Sequence, residues 1–273
     1  MNLKDIKLLN NEISILYDEP SCEYFRRFPE WWNNIENYEI ETLKIIKKFS
    51  NKNKNFIDIG SWYGFMSIYA SSFYKNVKSI EGDPVSLIAL KGNININKCN
   101  NIDIVPFVIT KYNGYCNFGG NGKLGNAESS VLINDEKYYS EKKAINDHRF
   151  KNKEYVLQDI IKCPCINVNK LVNDLGNDYI LNVSLIKIDI EGGELYIIKD
   201  IIEQITTNNK EIKLFISLHW IFLNIENIKY CVDLLSNNFL FLYNKNYTKI
   251  SKKDIIDNKI HDILCSNNDI YYD

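Results

Sequence analysis

Short apolar runs alternate along this chain with segments whose apolar residues recur every three or four positions. Residues 38–50 have the helical spacing and predict an amphipathic helix. Five short runs predict buried strands, at 55–59, 77–81, 102–109, 184–190 and 213–217. Helical patterns follow four of them, to about residue 74, over 83–95, after 190 and over 221–235. Two last runs, 239–243 and 262–265, are predicted to close the sheet as a hairpin.

This alternation predicts an α/β fold, a doubly wound and mostly parallel sheet with helices on both faces. Residues 111–165 lack a clear pattern and are too long for an ordinary connection, so we expect an insertion that forms a lid over the site. Residues 1–45 are predicted to form a helical and aromatic appendage that covers the site. The main domain is then expected at 46–273.

Composition excludes several classes of protein. The chain has 273 residues, 45% of them hydrophobic, and a net charge of −2, which disfavours a disordered chain and a nucleic-acid binder. Its longest uninterrupted apolar run, Phe239–Tyr243, is far shorter than the roughly 20 residues of a membrane span. The N-terminus lacks the apolar region of a secretory signal. Seven cysteines without a CxxC pair indicate reduced thiols, and we expect a cytoplasmic protein.

The first candidate site lies after the first buried strand. Asp58 and Gly60 begin a turn that ends at Gly64, and Glu81 ends the next strand, 23 residues after Asp58. A carboxylate at this place can accept hydrogen bonds from both hydroxyls of a ribose. The turn lacks the third glycine of GxGxxG, which disfavours NAD. A plain strand–turn–helix junction with a surface glutamate is the alternative.

The segment 185–194 places charge in an otherwise apolar strand. Lys187 and Asp189 share one face of that strand, where a central parallel strand is normally apolar. A structural ion pair explains them as well as a reactive site does. His219 follows the next strand, and as a neutral imidazole it could take a proton from a substrate hydroxyl. A structural role for this histidine is the alternative.

Together these segments resemble the FkbM family of S-adenosylmethionine-dependent methyltransferases over residues 38–220. The resemblance rests on YEIETLKIIKKF, FIDIGSWYGFMS, SIEGDPVSLIALKGNININ, SSVLI, LIKIDIEGGELYIIKD and FISLHW. It implies a class I methyltransferase fold, Rossmann-like, with an antiparallel last strand. Two positions depart from the family pattern: Ser61-Trp62 replaces Ala-Asn, and Ser217 stands where the family usually has Glu.

The resemblance implies roles for Asp58, Gly60, Gly64, Glu81, Asp189, Glu191 and His219. The roles expected of the other residues come from their places in the sequence, and a simple turn is the alternative for Ser129 and Ser130. The expected cofactor-binding residues are Asp58, Gly60, Ser61, Gly64, Glu81 and Gly82. The expected catalytic residues are His219, Asp189 and Lys187. Ser129, Ser130 and Glu191 are expected to bind substrate. Asp189 is also the candidate ligand of a divalent metal, Mg²⁺ or Mn²⁺.

The leading hypothesis is an S-adenosylmethionine-dependent O-methyltransferase that acts on a hydroxyl of a sugar or glycan. Two alternatives stay open. One is an oxidoreductase that uses NAD or a nucleotide-sugar on a similar sheet. The other is a non-catalytic module that binds the cofactor or a glycan.

Overall fold

The computed structural model describes residues 2–17, 39–121, 124–125, 127, 129–132, 157–206 and 209–271. The strands are β1 Asn2–Leu8, β2 Asn11–Tyr17, β3 Asn55–Ile59, β4 Asn76–Ile80, β5 Ile102–Val105, β6 Val108–Ile109, β7 Gly114–Asn121, β8 Ser130–Leu132, β9 Leu157–Ile166, β10 Val183–Ile188, β11 Lys213–Ser217, β12 Phe241–Asn244 and β13 Asp262–Ser266. The helices are α1 Ile40–Lys48, α2 Phe65–Ser71, α3 Pro84–Ile96, α4 Val168–Leu175, α5 Asn177–Leu181, α6 Glu194–Ile201, α7 Ile225–Asn238 and α8 Lys252–Asp257. A π-helical turn, Ile202–Thr206, continues α6.

The main sheet has seven strands in the order β12-β13-β11-β10-β3-β4-β5. Neighbours from β11 to β5 are parallel, and β13 is antiparallel to both β11 and β12. The predicted fold class, a class I methyltransferase sheet with a reversed last strand, is confirmed. The chain runs outward from β3 to β5 and returns to β10, so β3 and β10 flank the switch point where ligands of such sheets bind.

Apolar residues on both faces explain why β3 and β10 are central. Phe56 and Leu185 pack on one side of the sheet with α1, α2 and α3. Ile57 and Ile186 pack on the other side with α6 and α7. Burying one such side chain stabilises the fold by roughly 1.5–3 kcal/mol, and two buried layers hold the strand ends in fixed positions.

A second sheet, in the order β6-β9-β7-β8, occupies the described part of 111–165. The run 102–109, predicted as one strand, divides at Pro106 into β5 of the main sheet and β6 of the second. Cys116 and Phe118 alternate with exposed residues along β7 and pack on Cys163 and Cys165 of β9. This period of two gives the second sheet its own small core.

The N-terminal expectation needs a correction, because residues 2–17 form the β1–β2 hairpin and not a helix. The side chains of Ile6, Leu8, Ile13 and Ile15 alternate along the two strands and bury one face. Ser14 exchanges two hydrogen bonds with Asn97, at the end of α3 remote from Asp83. This part of the appendage therefore does not cover the strand ends, and residues 18–38 lie outside the described residues.

Within the described residues, no helix combines the length and the apolar character that a membrane crossing needs.

Candidate functional site

Two cavities lie at the carboxyl ends of the main-sheet strands. The first, here the Glu81 cavity, is lined by residues that include Glu81, Gly82, Ser86, Phe107 and Val108. The second, here the His219 cavity, has a volume of about 370 Å³ and is lined by residues that include Glu39, Lys187, Ser217, His219 and Asp262. The two cavities share Gly60, Trp62, Ala127, Asp189 and Glu191. A ligand in one would therefore reach the other.

Glu81 follows β4 directly, and both of its carboxylate oxygens accept backbone hydrogen bonds. The N–H of Trp62 donates to Oε2 at 2.7 Å, and the N–H of Asp83 donates to Oε1 at 2.7 Å. Burial and the neighbouring Asp83 raise the pKa of Glu81 to about 7, against the effect of these bonds. Each oxygen keeps a lone pair for a ligand hydroxyl.

Asp83 follows β4 and is hydrogen-bonded to Gly125 of the insertion 111–165. Its Oδ1 caps α3 by accepting from the N–H groups of Val85 and Ser86, and its Oδ2 accepts from Gly125 N–H at 2.7 Å. The indole Nε1–H of Trp62 donates to the Gly125 carbonyl at 2.9 Å. Gly125 is thus held at both of its backbone groups. From the sequence, Asp83 is predicted only as the first residue of the helical pattern 83–95.

Ser129 and Ser130, the predicted substrate residues, line the Glu81 cavity. The hydroxyl of Ser130 donates to the Ile190 carbonyl at 2.8 Å, and Ser129 hydrogen-bonds to Asp83. The Glu81 cavity, which Ser129 and Ser130 help to line, measures about 60 Å³.

The predicted cofactor residues divide into four groups, the first of which, Glu81 and Gly82, lines only the Glu81 cavity. Gly60 borders both cavities, at φ 84°, and a Cβ there would lie 1.9 Å from the Asp189 carbonyl oxygen, so only glycine fits. Ser61 borders the His219 cavity. Asp58 and Gly64 are not among the residues that line either cavity.

Lys187 lies buried between two carboxylates. Its Nζ is 3.4 Å from Asp58 Oδ1 and 3.4 Å from Asp189 Oδ2. Burial opposes the charge on Lys187, but Asp189 and Asp58 outweigh it and raise the pKa of the ammonium group. Ser67 Oγ–H also donates to Asp58 Oδ2 at 2.7 Å. Asp58 and Lys187 therefore belong to the support of the site, and Asp189 presents the carboxylate at the cavity.

His219, after β11, faces three carboxylates. Its Nε2 is 3.4 Å from Asp189 Oδ1 and 3.5 Å from Glu191 Oε1. Its Nδ1 is 2.9 Å from Glu194 Oε1. The structure thus brings the predicted residues Asp189, Glu191 and His219 together, and it adds Glu194, for which the sequence analysis predicts no role.

The charged side chains around His219 shift the pKa values of His219 and Asp189 in opposite directions. Burial opposes protonation of His219, but Glu191, Glu194 and Asp189 raise its pKa well above the ordinary value. Burial also opposes ionisation of Asp189, but Lys187 and His219 hold its pKa below the ordinary value. Both shifts favour the attraction between His219 and the carboxylates that surround it.

The same three side chains have the spacing of a metal site. Asp189, Glu191 and His219 each offer one donor atom, and these atoms lie within 4.8 Å of one another. Adjacent ligands of an octahedral ion with bonds of about 2.1 Å are separated by about 3.0 Å, close to the 3.4 Å and 3.5 Å found here. The two carboxylates suit Mg²⁺ or Mn²⁺, whereas the imidazole suits Zn²⁺ or Fe²⁺, so the donor set by itself does not select one ion.

Two more acids, Glu39 and Asp262, border the His219 cavity, and no sequence pattern predicts either. Burial and the charge of Asp189 raise the pKa of Glu39 to about 7, and Thr42 Oγ1–H donates to it at 2.9 Å. Asp262 Oδ1 accepts from Ser217 Oγ–H at 2.9 Å, because β13 pairs Asp262 with Ser217. An acid thus stands beside Ser217, one strand away.

No protein-family model and no curated protein sequence matches this chain. Its fold is similar to that of methyltransferase FkbM from Methylobacillus flagellatus KT, at 14% identity and a TM-score of 0.44, over 78% of this chain and 43% of that one. It is also similar to precorrin-6y C5,15-methyltransferase from Geobacter metallireducens GS-15, at 14% identity and a TM-score of 0.41, over 75% and 72% of the two chains. Precorrin 8w decarboxylase from Methanobacterium thermoautotrophicum matches at 11% identity and a TM-score of 0.38, over 75% and 73%. Likenesses this distant carry no argument about function.

Proposed function

We propose that this chain is an S-adenosylmethionine-dependent O-methyltransferase whose acceptor is a hydroxyl of a sugar or glycan. One observation carries the proposal: the Glu81 cavity and the His219 cavity meet at Gly60, Asp189 and Glu191. A nucleoside held by Glu81 would therefore present its reacting end to the cavity that contains the carboxylates and the histidine.

The Glu81 cavity fits the cofactor in two respects. The Glu81 carboxylate lies where a ribose would bind, and the apolar side chains of Phe107, Val108 and Phe118 offer a surface for a base. Ser86 is buried, lines this cavity, and its hydroxyl has no hydrogen-bond partner within the described part of the chain. Since buried hydroxyls are normally paired, a bound ligand is the partner that we expect.

The bound cofactor would supply a methyl group on a positively charged sulfonium. Transfer forms a bond from the acceptor oxygen to the methyl carbon, breaks the bond from carbon to sulfur, and releases the hydroxyl proton. In this protein Asp189 lies where the cavities meet, and His219 Nε2 lies 3.4 Å from Asp189 Oδ1 inside the His219 cavity, so either side chain can accept that proton. Alignment of the two reactants supplies roughly 7–11 kcal/mol of the barrier reduction.

A divalent cation is the finer part of the proposal. Asp189, Glu191 and His219 would hold it, and the cation would lower the pKa of an acceptor hydroxyl. If so, a chelator should abolish methyl transfer, and Mg²⁺ or Mn²⁺ should restore it. Full activity in the chelator would remove the cation from the mechanism.

The proposal is tested by incubating the full chain with S-adenosylmethionine labelled in the methyl group and a panel of sugars and glycans. We expect label in an acceptor, bound through an ether oxygen. His219→Ala should lower kcat roughly 10²–10⁴-fold and leave cofactor affinity nearly unchanged. Transfer to nitrogen or carbon acceptors alone would contradict O-methylation, and full turnover by His219→Ala would contradict the role of this histidine.

A further inference from the structure

Glu194, the first residue of α6, is fully buried and receives hydrogen bonds from three directions. Its Oε1 accepts from the N–H of Ile190 at 3.0 Å and lies 2.9 Å from His219 Nδ1. Its Oε2 accepts from the N–H of Gly192 at 2.9 Å. One carboxylate therefore connects the turn after β10 to the histidine after β11.

These contacts decide which nitrogen of His219 carries a proton. A carboxylate that accepts an N–H bond at each oxygen offers only acceptor positions to a further neighbour. His219 Nδ1 must then be the donor of the 2.9 Å contact. Nε2 is left as the nitrogen that faces Asp189 and Glu191. Buried carboxylates fix the tautomer and the ring orientation of histidines in this way.

The same carboxylate also holds the turn that carries Glu191. Glu191 has φ 56° and Gly192 has φ 95°, both in the left-handed region. A non-glycine residue there costs roughly 1–2 kcal/mol and persists where its surroundings fix it. The two backbone bonds to Glu194 span this turn and supply that restraint.

We propose that Glu194 is the positioning residue of the His219 cavity. It keeps the proton on Nδ1 of His219 and fixes the turn of Glu191, so that Nε2 and two carboxylates face one point. What binds at that point rests on the proposed function, whereas the hydrogen bond between His219 and Glu194 does not. If Glu194 only stabilised the N-terminus of α6 through the helix dipole, Nδ1 of His219 would have no fixed hydrogen-bond partner.

The test is NMR of the full chain with ¹⁵N-labelled histidine, with His219→Gln used to assign the signal. We expect a His219 proton that is coupled to Nδ1 and protected from solvent exchange. In Glu194→Gln this proton should exchange at least about tenfold faster, because a hydrogen bond to a charged group is lost. Ile197→Val, which removes one buried methyl group from the same helix, is the control and should keep the signal.

A wild-type spectrum without a protected Nδ1 proton on His219 would overturn the proposal, and so would an unchanged signal in Glu194→Gln. The wild-type spectrum decides by itself if Glu194→Gln does not fold. The proposed function fails by a separate result, the lack of binding of S-adenosylhomocysteine to the wild-type chain. That result leaves the Nδ1 signal unaffected.

Discussion

The backbone N–H of Trp62 donates to Glu81 Oε2 at 2.7 Å, and this bond joins the turn after β3 to the end of β4. Trp62 has φ 48°, a strained conformation for a bulky residue. The bond explains how the strain persists, since Glu81 restrains the backbone at this position. The carboxylate that we expect to bind ribose therefore also shapes the wall shared by the two cavities.

Affinity for S-adenosylhomocysteine should depend on pH through Glu81. The folded protein has a pKa of about 7 at this carboxyl, and ligand hydroxyls bind best to the ionised form. Below pH 7 a proton must leave on binding, so affinity should fall up to about tenfold per pH unit as pH decreases, and it should level off above pH 7. Calorimetry from pH 5.5 to pH 8.5 measures this, and Glu81→Gln should remove the slope. An affinity that falls with rising pH would contradict the prediction.

Ser86→Ala should weaken ligand binding without weakening the fold. The Ser86 hydroxyl is buried without a partner among the described residues, so its loss should leave the free energy of unfolding unchanged or raise it. Its loss should lower affinity for S-adenosylhomocysteine about threefold to tenfold. Thr110→Val is the matched control, because that hydroxyl is equally buried and unpaired but Thr110 does not line the Glu81 cavity. Equal affinities in both variants and wild type would show that Ser86 makes no ligand contact.

Lys187→Met should destabilise the protein strongly. It leaves the buried carboxyl of Asp58 beside an apolar group, and breaking a buried pair typically costs about 3–5 kcal/mol. Lys170→Met breaks an exposed pair with Asp174 and should change the free energy of unfolding by less than about 1 kcal/mol. Urea denaturation compares the two variants. Similar small losses in both would mean that Lys187 is not paired as described.

Gly125→Ala should loosen the segment over the Glu81 cavity. Gly125 has φ 86°, and an added Cβ would lie 2.7 Å from Val85 Cγ1. A penalty of about 1–2 kcal/mol corresponds to roughly 5–30-fold faster dissociation of S-adenosylhomocysteine if this segment retains the ligand. Gly176→Ala is the control, since it has φ 79° but open space around the added Cβ. Stopped-flow dissociation measures both, and equal rates would contradict a lid that includes Gly125.

The strands of the main sheet could be predicted because their apolar residues are buried on both faces. The predicted bounds of β3 and β11 agree with the structure. The β1–β2 hairpin was not predicted, because the alternation of Ile6, Leu8, Ile13 and Ile15 with polar residues covers only two buried positions in each strand. An alternation of apolar and polar residues over so few positions is a weak signal beside longer periodic segments.

The candidate site could be predicted only in part. A residue that follows a strand can be identified from the sequence next to it, but the residues that it contacts are distant in sequence. Asp189 and His219 were predicted from the strands they follow. The contact of His219 with Glu194 spans 25 residues of sequence and depends on a left-handed turn at Glu191. The place of Asp262 beside Ser217 depends on the register of β13, which no local pattern specifies.

Calorimetry of the full chain tests most directly whether this fold binds S-adenosylmethionine through Glu81, as we propose. S-adenosylhomocysteine should bind, NAD should not, and Glu81→Gln should lower the affinity roughly tenfold or more, because a hydrogen bond to a charged group contributes about 1.5–3 kcal/mol. Glu211→Gln, at a side chain that is 73% exposed, should bind like wild type. Binding of NAD alone, or equal affinity of Glu81→Gln and wild type for S-adenosylhomocysteine, would contradict the claim.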